Sequence, residues 1–191
     1  MSNLDLFGTP IPEISKLATI SDCERFRYVL RRHWDSYLYS LPVCMLNPST
    51  ADHEKDDPTV RELVHFAKLW GYGGLYIVNL CAFRAPQPSA MMAAADPVGP
   101  LNARYLREAL YYALAHSTPM LAAWGDGGTF RERDTWMCAK AAYHGVDLVC
   151  LGITKANNPK HPMSRGRNRI ARDQQPVMWR KGRDATMDWA Q

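Results

Sequence analysis

The chain has 191 residues, 47% of them hydrophobic and 22% charged, with a formal net charge of +4. This suits one domain around one core, and no apolar run approaches the ~20 residues that cross a bilayer. Five cysteines without paired spacing suggest neither a disulfide frame nor a zinc or iron–sulfur site, and residues 1–12 show no secretory signal, so the cytoplasm is the expected compartment.

Residues 1–24 are weakly patterned and read as a loosely ordered lead-in. From Arg25, arginines alternate with Phe26, Tyr28 and Leu30, which predicts a half-exposed edge strand over about 26–32 leading by a hairpin into an apolar strand at 42–46. Val60, Leu63, Val64, Ala67 and Trp70 have helical spacing over 58–70, with Pro58 in the first turn and Asp56 or Asp57 as cap. A buried strand follows at 75–80. A helix at 102–115 should turn Tyr105, Leu106, Leu110, Tyr111 and Leu114 inward, ahead of a strand at 119–124. A helix over 129–143 and a last strand at 147–151 complete the series. Short apolar strands alternating with helices imply an α/β domain over 25–165, three-layer α/β/α with a mainly parallel central sheet. A basic segment, 166–191, closes the chain.

In open α/β sheets the ligand lies outside the carboxyl ends of the strands. Four clusters fall there. Asn47, Pro48, Ser49 and Thr50 follow the first core strand, with acids at Asp52, Glu54, Asp56 and Asp57; Asn79, Phe83 and Arg84 follow the second. Trp124 leads the turn Gly125, Asp126, Gly127 and Gly128, and Lys155 opens a stretch running through His161 and Pro162 to Ser164. Asparagine can pair with a base edge, Trp124 or Phe83 can stack on its face, and the cations can hold a phosphate. Asp52 or a neighbouring acid could orient a water or a metal, although such acids also cap and solvate. The glycine turn lacks the Lys-Ser/Thr pair of a P-loop. Between Lys155 and Arg183 nine basic residues face one acid, Asp173, a density that favours polyanions. Lys160, Ser164, Arg165, Arg167 and Arg169 are the candidate nucleic-acid contacts, against the alternative of a solvated tail.

Residues 45–52, 56–59, 70–74, 78–80, 96–100 and 123–125, with the stretch from Leu151 through Lys155 to Pro162, resemble the family termed domain of unknown function 1643. The resemblance covers roughly residues 25 to 165. More remotely, Leu46-Asn47-Pro48-Ser49 and His161-Pro162-Met163-Ser164 resemble two motifs of the mismatch-specific uracil-DNA glycosylases, with Ser49 in place of a glycine and Met163 interrupting the second motif. That likeness implies a glycosylase-like fold. It also implies that Asn47 positions a water, Asn79 reads the base, and His161 stabilises the departing base or a phosphate.

The expected function is therefore glycosylase-like chemistry at the glycosidic bond of a nucleobase or nucleotide, common or modified, free or in DNA, with no metal and no cofactor. A non-catalytic nucleotide or nucleic-acid binding module is the alternative, and a metal-dependent phosphotransfer enzyme using the acidic loop is a third reading. The expected partner is nucleic acid or nucleotide, not a membrane; oligomeric state is left open.

Overall fold

The computed structural model describes residues 14–49, 51–52 and 54–182. Among these residues seven strands form one sheet in the order β1-β2-β4-β3-β5-β6-β7: β1 (Ser15–Ile20), β2 (Arg27–His33), β3 (Ser40–Met45), β4 (Gly74–Asn79), β5 (Met120–Ala122), β6 (Leu148–Cys150) and β7 (Val177–Arg180). The pairings β4–β3, β3–β5 and β5–β6 are parallel, whereas β1–β2, β2–β4 and β6–β7 are antiparallel. The sheet is mixed rather than mainly parallel, because both flanks are closed by strands that the sequence pattern concealed.

β1 lies inside the expected lead-in. Its alternating exposed and half-buried residues mark it as the edge, so β2 is not an edge strand and pairs with β4 instead of forming a hairpin with β3. β7 lies within the basic segment and pairs with β6. That segment is docked: His65 Nε2 lies 2.7 Å from the Arg172 carbonyl, and Trp70 Nε1 donates to the Gln174 carbonyl at 2.9 Å.

Among the described residues four α-helices join the strands: α1 (Pro58–Leu69), α2 (Pro88–Met92), α3 (Asn102–Ala115) and α4 (Arg133–Tyr143). Side chains alternate across β4. Leu75 and Ile77 pack in one cluster with Val60, Leu63 and Phe66 of α1; Tyr76 and Val78 pack in another with Leu106 and Leu110 of α3 and Met137 of α4. Those two clusters, on opposite faces of the sheet, form the core. On α3 the buried stripe is Leu106, Ala109, Leu110 and Ala113, while Tyr111 and Leu114 are each 52% exposed. The small alanines let the helix approach the sheet and rotate the larger pair outward. The helix expected from 129 starts at Arg133. Residues 125–132 form 3-10 turns that end in two left-handed residues, Arg131 (φ 51°) and Glu132 (φ 55°).

β3 feeds α1 on one face and β5 feeds α4 on the other, so the chain leaves these adjacent parallel strands in opposite directions. Such a switch point opens a crevice at the carboxyl edge.

Candidate functional site

A cavity of about 470 Å³ occupies that crevice, within the ~300–1,000 Å³ typical of small-molecule sites. It lies between the ends of β3 and β4 and the start of α1. Asn47, Ser49, Asn79, Trp124 and His161 all line it. Residues from four separate segments thus meet in one place, as expected of parallel strands ending on a common side.

Asn79 is the last residue of β4, in register with Met45 of β3. It is 1% exposed, and neither Oδ1 nor Nδ2 has a hydrogen-bond partner among the described residues. A buried carboxamide left unpaired costs roughly 1–3 kcal/mol per group. Its main chain is fixed by Asn102, whose Nδ2 donates to the carbonyls of Asn79 and Leu80, each at 3.0 Å. The strand end is thus fixed while the polar ends of the side chain stay without a partner among the described residues.

Asn47 is placed differently. Its Nδ2 donates to the carbonyls of Pro48 (3.0 Å) and Ala85 (2.9 Å), so both amide protons are committed and Oδ1 is the atom left for a ligand or water. This bonding fixes the turn that Pro48 initiates.

His161 accepts a hydrogen bond at Nδ1 from the Met163 amide at 3.1 Å. The proton of the neutral ring therefore sits on Nε2. Burial pushes the imidazole below its ordinary pKa, with the Asp57 charge working the other way, so the ring is a neutral donor at pH 7. Its loop is anchored through Asp126, which accepts from Thr154 Oγ1 (2.6 Å) and Asn158 Nδ2 (3.0 Å), and through the Gly125 amide, which donates to the Pro159 carbonyl at 2.9 Å.

Trp124 is 1% exposed, and its Nε1 has no partner among the described residues. Its ring meets Trp179 edge-on at 5.5 Å. A Cβ on Gly128 would lie 2.0 Å from the Trp124 ring, so glycine there makes room for the indole. Trp124 therefore borders the cavity while packed in the core rather than as an open stacking platform.

Two lining residues carry chemistry that the sequence pattern does not place here, Arg27 and Thr59, and Asp57 joins them from the acidic loop. The alternation predicts an outward-facing Arg27 on an edge strand; instead the loop after β3 lies against it, and its guanidinium donates to the Ala51 carbonyl. The sequence leaves Asp57 as either the cap of α1 or an acid that orients a water or a metal. Asp57 does cap α1, accepting from the Val60 amide at 2.9 Å, and it also faces the cavity.

Other candidates lie elsewhere. Asp52 is outside the lining; its Oδ1 accepts from the amides of Glu54 (2.8 Å) and Lys55 (2.9 Å) and shapes the loop. Asp56 pairs with the buried Arg32 at 2.7 Å. Phe83 packs edge-on against Phe26 at 6.0 Å, and Arg84 donates to the Glu24 carbonyl at 3.2 Å. Gly125 is replaced in the lining by Gly127, and Lys155 is exposed away from it. Thr50 falls outside the described residues. Lys160 is half-buried, with its chain beside Gly152. Ser164, Arg165 and Arg169 line a separate groove with Glu62 and Arg172, and Arg167 is exposed next to it. Among the described residues no three of His, Cys, Asp and Glu converge as metal ligands, and no helix is long and apolar enough to cross a membrane.

The chain belongs to the family described as protein of unknown function (DUF1643), whose model matches residues 27–163. That span holds every residue that lines the cavity. No match is found among curated proteins or among solved structures.

Proposed function

We propose that the cavity binds a nucleobase or nucleotide and that the protein acts on its glycosidic bond, on a three-layer, uracil-DNA-glycosylase-like framework. The observation that carries this reading is Asn79, a fully buried carboxamide with donor and acceptor both unused at the wall of a cavity. Adjacent donor and acceptor groups on a planar base satisfy both ends at once.

In this reading the C1′–N bond breaks and its electron pair leaves on the base. His161 donates from Nε2 and Asn79 from Nδ2 to the resulting base anion, stabilising charge that develops only in the transition state. A water held at Asn47 Oδ1 attacks C1′, and its proton passes to the Asp57 carboxylate. Asp57 takes the part first assigned to Asp52, because it lines the cavity and Asp52 does not.

The second reading is a binding module without catalysis. It draws on the groove of Ser164, Arg165, Arg169 and Arg172, which suits a phosphate backbone, and on the committed amide of Asn47. Asn47→Ala separates the two. An enzyme loses turnover while nucleobase binding survives. A protein that binds as before and never releases free base from any nucleoside, nucleotide or oligonucleotide is a binding module.

A further inference from the structure

Arg27 opens β2 where that strand meets the end of β4, its backbone amide donating to the Ala82 carbonyl at 3.0 Å. The residue is 3% exposed and lines the cavity. One guanidinium nitrogen donates to the Ala51 carbonyl, while Nε is enclosed without a partner among the described residues. Burial brings the guanidinium down to about 10, opposed by the Asp57 and Asp52 carboxylates and aided by Arg84 and Arg32, so it remains a cation at neutral pH. Among the described residues it joins no ion pair; Asp57 offsets its charge from a distance, with Oδ1 committed to the α1 cap.

A buried guanidinium with an N–H left without a partner calls for an oxygen acceptor, and an anionic oxygen satisfies it best. The cavity adds the hydroxyl residues Ser49 and Thr59 and the first turn of α1, where the helix field favours negative charge. A phosphodiester within a polymer would have to carry two chain continuations past an almost fully enclosed side chain, whereas a terminal phosphate brings one. The basic groove around Arg165 and Arg172 is a separate surface with its own lining.

We infer that the cavity selects a ligand with a terminal phosphate monoester, a free nucleoside monophosphate, and that Arg27 holds the phosphate. This rests on the nucleobase reading above and names the substrate class within it.

The test is calorimetric binding by the full chain of paired nucleosides and 5′-monophosphates of uracil, thymine, cytosine, adenine and guanine. For the preferred base, the monophosphate should bind roughly 10- to 100-fold tighter than its nucleoside, the range of a charge-assisted hydrogen bond. Arg27→Met should close that gap by weakening the monophosphate. Asn79→Ala should weaken both members of the pair and preserve the gap. If Arg27→Met does not fold, Arg27→Lys, which keeps a charge but not the planar fork, should narrow the gap several-fold. Equal binding of nucleoside and monophosphate, sensitive to Asn79, overturns the phosphate assignment and leaves the nucleobase reading intact. Tighter, Arg27-dependent binding of a single-stranded oligonucleotide bearing the same base overturns the free-nucleotide class. No binding of any pair overturns both.

Discussion

Thr154 donates its hydroxyl to Asp126 across 2.6 Å, and this bond holds the loop after β6 against the loop after β5. Asp126 thereby positions His161 without lining the cavity. The hydrogen bonds from Thr154 and Asn158 favour the anion and keep its carboxyl below the ordinary value. The resulting support is present above the ordinary carboxylate range and is lost as pH falls through the lowered folded value. Asp126→Ala should expose the amides of residues 154–161 to faster hydrogen exchange at neutral pH, with exchange elsewhere in the sheet unchanged.

Asn79 carries a stability cost that a ligand would remove. Asn79→Leu should raise the stability of the ligand-free protein by about 1–2 kcal/mol, the lower part of the range for an unpaired buried polar group, while abolishing nucleobase binding. Thermal unfolding with and without ligand checks both halves. A destabilised variant would mean that the carboxamide is bonded in solution.

Much of this was legible in the sequence, and its failures have physical causes. Four core strands and three longer helices were visible because unbroken apolar runs and 3.6-residue spacing are strong signals. The convergence of Asn47, Asn79, Trp124 and His161 followed from strand direction alone. β1 and β7 were missed because edge strands are half exposed, so their polar residues read as loop or tail. Arg27 reads as solvent-facing because the alternation does not show that the loop after β3 folds against it, where it meets the Ala51 carbonyl. Asp52 and Asp57 could not be ranked by sequence, since both are acids in one loop and only the path of the chain turns one of them toward the cavity.

His161 gives a pH signature in a separate window. Its folded pKa lies below the ordinary histidine value through burial, so the unfolded chain takes up a proton that the folded chain resists. Stability should therefore fall as pH drops from about 6.5 toward the lowered folded value, with no contribution above that range. His161→Gln should flatten this slope, and NMR titration of the ring should show a proton on Nε2 at neutral pH.

The exposed arginines of the C-terminal segment have their own test. If oligonucleotides bind there, log K should fall with log salt by roughly 0.7 per phosphate contacted on single strands and 0.9 on duplex. Replacing Arg165, Arg167 and Arg169 together by Gln should lower that slope by about two or three units. Monophosphate binding at the cavity should keep its affinity in the triple variant, because none of the three lines it.

The most direct measurement is chromatographic detection of free base released by the wild-type chain from the nucleosides and 5′-monophosphates of the five common bases, alongside Asn79→Ala and His161→Ala. The account predicts release from at least one of these compounds, with both variants slowed by about tenfold or more, the scale of losing one transition-state hydrogen bond. Release that proceeds unchanged in both variants, or wild-type protein that releases free base from none of the compounds, whether or not it binds them, would contradict it.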